Sequence, residues 1–191
     1  MLKDLLIADR SCRGFSQDRR VTKEELTEFV DLTRYAPASL NIQPLKYYVV
    51  AEKEMVDQVF ALTGWAKMRP EYNLPHEGKE PTGFVVICQD TAIDANTNRF
   101  LKDVGIVAHT MLLAATEKGL GGCMLGTFKA GSLSTLLNMP ETIKPILVVA
   151  FGKPDEKIVL TEIPEDGDSR YYRDENDIHY VPKRSLEDIL L

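Results

Sequence analysis

Between positions 99 and 118 the chain carries apolar residues at almost every angle of a helix: Phe100, Val104, Ile106, Val107, Met111, Leu112 and Leu113. A helix that is hydrophobic on all sides is buried rather than laid on a surface. In a chain of 191 residues burial on every side is hard to reach, which leaves part of this helix available to a second copy of the chain. Its least polar part, 104–116, is too short to span a bilayer and contains His109. Gly119 follows as a left-handed stop.

Other segments pattern around this helix. Leu2, Leu5, Leu6 and Ile7 predict a short helix ending near Asp9. Thr22 and Glu25 predict a capping box, and Leu26, Phe29, Val30 and Thr33 continue at helical spacing. That helix must stop before Pro37, because the residue before a proline avoids the α region. Positions 45–51, rich in Tyr and Val, predict a buried strand, and 84–88 a short central one. Helices are expected over 53–62, with Met55, Val56, Val59 and Phe60 inward, and over 130–137. Positions 121–126 predict a glycine-bounded strand or turn. A strand over 144–152 runs into a turn at Gly152-Lys153-Pro154. Strands alternating with helices argue for an α/β or α+β sandwich, with helices packed on a sheet.

Two stretches do not fit that alternation. In 64–82, Pro70, Pro75, Pro81 and Gly78 break any regular element, yet Trp65, Met68 and Tyr72 are apolar. A long connection with aromatics suits a lid or a partner-covered loop better than a plain, disordered linker. Positions 161–191 are polar and show no core pattern until Ser185-Leu186-Glu187-Asp188, a helix start. This arm would wander, wrap its own domain or embrace a partner.

Length favours one compact domain over 1–191. A net charge of -6 favours solubility and argues against general affinity for nucleic acid. Cys12, Cys88 and Cys123 lie far apart with no C-x-x-C, which fits a reduced, cytoplasmic protein. The opening Met-Leu-Lys-Asp is unlike a signal peptide. No strand is followed by G-x-G-x-x-G, so a Rossmann dinucleotide site is unsupported, and no G-x-x-x-x-G-K-[ST] occurs.

Four clusters carry candidate chemistry. Arg10-Ser11-Cys12-Arg13 offers two guanidinium forks and a hydroxyl, the donors a phosphate needs. Taken alone, a solvated basic turn paired with Asp9 or Asp18 explains the triplet better. The stretch 36–44 (Ala-Pro-Ala-Ser-Leu-Asn-Ile-Gln-Pro) is braced by proline at both ends. Asn41 can donate and accept at once, as the edge of a flat polar ligand requires. A plain helix stop leading into a strand explains it equally. The glycines of 121–126 allow backbone to approach a ligand, or simply cap a helix. Cys123 between them reads more readily as a small buried hydrophobe than as a nucleophile. Lys183-Arg184, after Pro182, is a second basic pair, and alone reads as a surface pair. A ligand with a phosphate at one end and a flat, polar-edged ring at the other would be flavin mononucleotide (FMN).

The order and spacing of these clusters resemble the nitroreductase family of flavin enzymes over nearly the whole chain. Arg10 to Phe15 looks like the family's R-S-x-R-x-F opening, and 36–44 like its most specific loop. Asp103-Val104-Gly105 with Leu112-Leu113-Ala114-Ala115 and Gly119-Leu120-Gly121 looks like its central helix. The resemblance implies an α+β, α-β-α sandwich with a mostly antiparallel sheet, forming an intertwined homodimer with two FMN sites. It implies that Arg10, Ser11 and Arg13, with Lys183 and Arg184, hold the phosphate and ribityl end. Pro37, Ala38, Ser39 and Asn41 would come from the other subunit. Cys123, Leu125 and Gly126 would lie along the ring edge, and the arm at about 161–191 would wrap the partner.

The implied activity is NAD(P)H-dependent, ping-pong reduction of nitroaromatics, quinones or related small acceptors through flavin N5. No protein side chain then acts as nucleophile. The connection 64–82 would help choose the acceptor. Three departures from the family pattern stand out: Asp9 replaces a base two residues before the serine, Leu45 replaces an aromatic after Gln-Pro, and Met124 replaces one beside Cys123. Rival readings are a dehalogenase or flavin-fragmenting relative on the same fold, a non-catalytic flavin-binding or redox-sensing module, and a plain interaction domain without cofactor.

Overall fold

Strand alternation sorts the core into two layers on either side of one sheet. The computed structural model describes residues 1–165 and 167–191. It divides into two compact units, Met1–Pro154 and Asp155–Leu191. In the first unit, strands β1 (Phe15–Ser16), β2 (Leu45–Val50), β3 (Gly83–Asp90), β4 (Gly121–Leu125) and β5 (Ile143–Pro154) form one sheet. Its order is β1-β5-β3-β2, with β4 also pairing with β5, and every pairing is antiparallel.

Successive residues of a strand face opposite sides. Val85, Ile87, Val149 and Phe151 therefore meet α2 (Lys23–Leu32) and α4 (Leu101–Glu117) in one core cluster. Phe84, Val86, Cys88, Val148 and Ala150 meet α3 (Lys53–Phe60) and α5 (Ala130–Leu136) in the other. The result is the expected helix-sheet-helix sandwich of α+β class. Burial in the second layer pushes the Cys88 thiol up to about 12, which leaves it inert at neutral pH.

Local signals explain most boundaries. The Thr22 hydroxyl accepts from the Glu25 amide, and the Glu25 carboxylate accepts from the Thr22 amide, so the capping box forms as expected. Helix α2 runs into a single 3-10 turn, Thr33–Tyr35, and stops before Pro37. Gly119 takes φ +71° and ends the α4 segment. The first helix, α1 (Leu2–Ala8), buries no residue and leaves Leu2, Leu6 and Ile7 exposed.

Within one chain helix α4 is not buried on all sides; part of its surface stays open, the part expected to meet a second copy. Val104, Val107, Ala108, Met111, Leu112 and Ala115 are buried on the sheet, whereas Leu101 and Ile106 remain 51% and 39% exposed. Two strand expectations change. β2 is an edge strand of intermediate burial, because only one side of it is paired. β5 does not turn at Gly152; it continues to Pro154, because Phe15 and Ser16 supply a partner there.

The second unit is more ordered than its polarity led us to expect. β6 (Ile158–Glu162), β7 (Tyr172–Arg173) and β8 (His179–Lys183) form a three-stranded sheet in the order β6-β8-β7, with β6 and β8 parallel. Arg173 and Glu156 form an ion pair in which both side chains are 4% exposed. The Tyr171 ring meets the buried His179 edge-on at 5.1 Å. Ser185 and Asp188 exchange the hydrogen bonds of a helix start, yet only a turn follows.

Candidate functional site

The outer edge of β4 brings together clusters more than a hundred residues apart in sequence. Ser11 forms an isolated parallel bridge with Gly122, and the Cys12 amide donates to the Gly122 carbonyl at 2.9 Å. Gly122 has to be glycine here. A Cβ would sit 2.1 Å from the Ala150 carbonyl oxygen and 2.7 Å from Leu112 Cδ2. Close approach of β4 to both β5 and α4 thus depends on the missing side chain.

Beside this edge lies a cleft lined by Asp9, Arg10, Ser11, Leu112 and Met124. Arg10 spends one terminal nitrogen on the Leu6 carbonyl at 2.7 Å, at the end of α1. Its Nε is buried, and among the described residues it has no hydrogen-bond partner and Arg10 makes no ion pair. Asp9 is engaged with helix α4: its Oδ2 lies 3.2 Å from His109 Nε2. Burial raises the pKa of Asp9, and the neighbouring His109 and Arg10 oppose that shift. Arg13 donates from Nη1 to the Ser11 carbonyl at 3.3 Å and is half-buried.

Cys123 and Leu125 point away from this cleft. Their side chains are buried in the core layer with Val148 and Ala150. Only their main chain is offered at the edge. Met124, between them, is 38% exposed and faces the cleft, and Gly126 is exposed.

The second half of the candidate site is the loop 36–43. Pro37 and Asn41 are exposed, Ala38 and Ser39 half-buried, and Leu40 stands 84% exposed. Leu40, Asn41 and Gln43 all have positive φ, at 53°, 54° and 52°. Non-glycine residues seldom take this region, and such runs cluster at ligand clamps. Ser39 is tied to helix α4: its amide donates to Asp103 Oδ2 at 2.8 Å, and its hydroxyl donates to Asp103 Oδ1. A pocket beside the loop is lined by Pro37, Ala38, Pro44, Tyr47, Asp103 and Val107, among others.

Gln43 fixes how Asn41 presents itself. Gln43 Nε2 donates to the Asn41 carbonyl at 3.2 Å and to Asn41 Oδ1 at 2.9 Å. A backbone carbonyl only accepts, so the Gln43 atom must be the amide nitrogen, and the Asn41 atom facing it must be oxygen. Asn41 is then left to offer its NH2 group outward as a donor.

The connection 64–82 is pinned at both ends. The Gly64 amide donates to the Thr127 carbonyl at 2.8 Å, just beyond β4. The Phe15 amide donates to the Lys79 carbonyl at 3.0 Å, and Gln17 Nε2 to the Glu80 carbonyl at 2.8 Å. Trp65 is half-buried against Phe60, with ring centroids 6.0 Å apart, so it anchors the segment rather than facing out. Met68 is the outward apolar residue, at 76% exposure. Lys183 closes β8 in the second unit and Arg184 follows it; both are exposed.

Three contributors escaped the sequence patterns: Asp103 as an anchor, Gln43 as a lock, and His109 as the partner of Asp9. Asp103 had one visible signal, a lone carboxylate on the buried side of an apolar helix. Among the described residues no group of three His, Cys, Asp or Glu side chains is placed to hold a metal ion. No helix there is long and apolar enough to cross a membrane.

An α-β-α sandwich of α+β class, with a cationic cleft at a sheet edge and a rigid amide loop at the head of its apolar helix, is the class defined so far. The family model described as "Nitroreductase family" matches residues 8–153, and the chain belongs to that family. It is 34% identical over 184 residues to an oxygen-insensitive NADPH nitroreductase of Helicobacter acinonychis, covering 79% of this chain and 86% of that protein. It is 25% identical over 171 residues to an FMN reductase (NADPH) of Bacillus subtilis, covering 79% and 65%. A solved nitroreductase family protein from Clostridium difficile superimposes with a TM-score of 0.65 at 25% identity, covering 80% of this chain and 84% of that one.

Proposed function

We propose that this chain is an FMN-dependent oxidoreductase that uses NADH or NADPH to reduce small acceptors such as nitroaromatics and quinones. The observation that carries the reading is the buried, partnerless Arg10 Nε in a cleft at the outer edge of β4. The family and the names of the relatives support the cofactor and the reductant.

The donor set fits FMN. A phosphate asks for several directional cationic donors, and Arg10, Ser11 and Arg13 supply them within four residues. Lys183 and Arg184 would add to that charge. Cys123, Leu125 and Gly126 would offer main-chain groups to the ring edge. Asn41, set as a donor by Gln43, suits a carbonyl of a pyrimidine edge. With Pro37, Ala38 and Ser39 it would come from the partner subunit. When bound, FMN would supply the redox chemistry, taking up a hydride equivalent from NAD(P)H and returning electrons to the acceptor.

The protein's own share is binding, orientation and exclusion of water. Arg10 loses little rotamer freedom on binding, since its tip is already held by Leu6. Leu112 and Met124 give the cleft an apolar wall. The pinned connection 64–82, with Met68 outward, would shape the space an acceptor enters. A homodimer would cover the apolar residues left open on α1 and α4 (Leu2, Leu6, Ile7, Leu101 and Ile106). The single-domain reading of 1–191, with 161–191 wrapping the partner, belongs to the same proposal, as does a cytoplasmic location.

Steady-state oxidation of NADH or NADPH by the purified protein, with a quinone and a nitroaromatic as acceptors, tests the reading. Turnover that needs both FMN and acceptor is expected. Flavin binding without turnover would favour a redox-sensing module, and no flavin binding at all would refute the proposal.

A further inference from the structure

We infer that Asp103 is a positioning residue: its carboxylate holds the loop 36–43 in the conformation that meets the flavin. The inference rests on the function proposed above. Asp103 is 3% exposed and lies in the first turn of α4, where the helix dipole favours a negative charge. Among the described residues no cation pairs with it. Both carboxylate oxygens go to one residue, Ser39: Oδ2 to its amide and Oδ1 to its hydroxyl.

A buried carboxylate without a cation needs strong donors to offset its desolvation. Using both oxygens on a single loop residue makes the loop and the charge depend on each other. The loop has reason to need such an anchor. Leu40, Asn41 and Gln43 all occupy the left-handed region, and strain of this kind persists only where the surroundings over-determine it. Ser39 immediately precedes Leu40, so the anchor sits at the start of the strained run. On its exposed side the hold comes from within the loop, from Gln43 to Asn41, and does not tie the loop to a neighbouring element. The Ser39 hydroxyl proton is committed to Asp103. What this loop offers a ligand is then its backbone and Asn41.

The test uses the full chain as purified, comparing the parent with Asp103→Asn and Ser39→Ala. An asparagine can keep both contacts only by reversing the hydroxyl bond, its NH2 donating to the Ser39 oxygen, and it loses the charge that strengthens both. Amide hydrogen exchange over 38–43 should accelerate by about tenfold or more, while α3 keeps its protection. The FMN dissociation constant should rise by about tenfold, and saturating FMN should restore kcat to near the parent value. A role confined to fold stability would speed exchange in α3 and β3 as well. Should Asp103→Asn do that, Ser39→Ala decides, because it removes one bond and leaves the amide bond to the carboxylate. Acceleration confined to 38–43 then supports the inference, and unchanged exchange there overturns it. If the parent fails to bind FMN, the proposed function fails, while the exchange result still reports on the anchor.

Discussion

Replacing Arg10 by alanine should separate ligand binding from folding. In the folded chain Arg10 makes one exposed hydrogen bond, from its guanidinium to the Leu6 carbonyl at 2.7 Å. Losing it turns that carbonyl toward water and costs about 0.5–1.5 kcal/mol. The substitution also removes a buried Nε that has no partner, relieving a penalty of about 1–3 kcal/mol. The two effects oppose each other, so the variant should lose no more than about 0.5 kcal/mol and gain at most about 2.5 kcal/mol, which keeps its Tm no more than about 2 °C below the parent's. Binding has no such compensation. A lost charge-assisted bond to phosphate is worth about 1.5–3 kcal/mol, so the FMN dissociation constant should rise roughly 10- to 150-fold. Flavin fluorescence titration and a thermal melt of the same preparation read both numbers. A variant that binds FMN like the parent, or one that unfolds, would refute the assignment of Arg10 to the cofactor.

Other substitutions probe the frame around the site. Gly122→Ala places a methyl 2.1 Å from the Ala150 carbonyl oxygen, so β4 must shift; a destabilisation of about 1–3 kcal/mol by urea denaturation is expected, with weaker flavin binding. Gln43→Glu can no longer donate to Asn41, so the Asn41 amide should turn over and FMN affinity should fall by about tenfold in the same titration. Arg173→Met leaves Glu156 buried without this cation and should destabilise the chain by about 3–5 kcal/mol in urea denaturation. Asp9→Asn tests the raised pKa. Above the ordinary carboxylate range the folded state holds the Asp9 proton more tightly than the unfolded state, so this group's stabilising contribution is lost as pH rises through the raised pKa. The Tm of Asp9→Asn relative to the parent should therefore increase with pH across that window, and a difference independent of pH would contradict the shift.

Much of the first unit could be read from pattern because its signals are local. The Thr22–Glu25 box, the stop before Pro37 and the apolar runs of β3 and β5 each depend on a few neighbouring residues. What was hidden depends on distant ones. β5 extends past Gly152 only because Phe15 and Ser16 pair with it, and two residues carry no strand pattern of their own. The sheet of the second unit joins β6 to β8 in parallel across an intervening segment, so no hairpin signal marks it. Ser185 and Asp188 form their reciprocal bonds, but a cap alone does not hold a helix without a face to bury.

The candidate site divides along the same line. The arginines, the braced loop and the glycines of β4 were visible as residue types. That Ser11 and Gly122 meet, and that Cys123 and Leu125 turn into the core, follows from strand register. Asp103 and Ser39 are 64 positions apart, and only the packing of α4 brings them into contact.

The central claim, that this chain holds FMN, is tested most directly by equilibrium titration of flavin-free protein with FMN, followed by absorption and fluorescence. The account predicts saturable binding at one FMN per chain, with a perturbed flavin spectrum, in a protein that sediments as a dimer. Absence of saturable binding, or full flavin loading of a strictly monomeric chain, would contradict it.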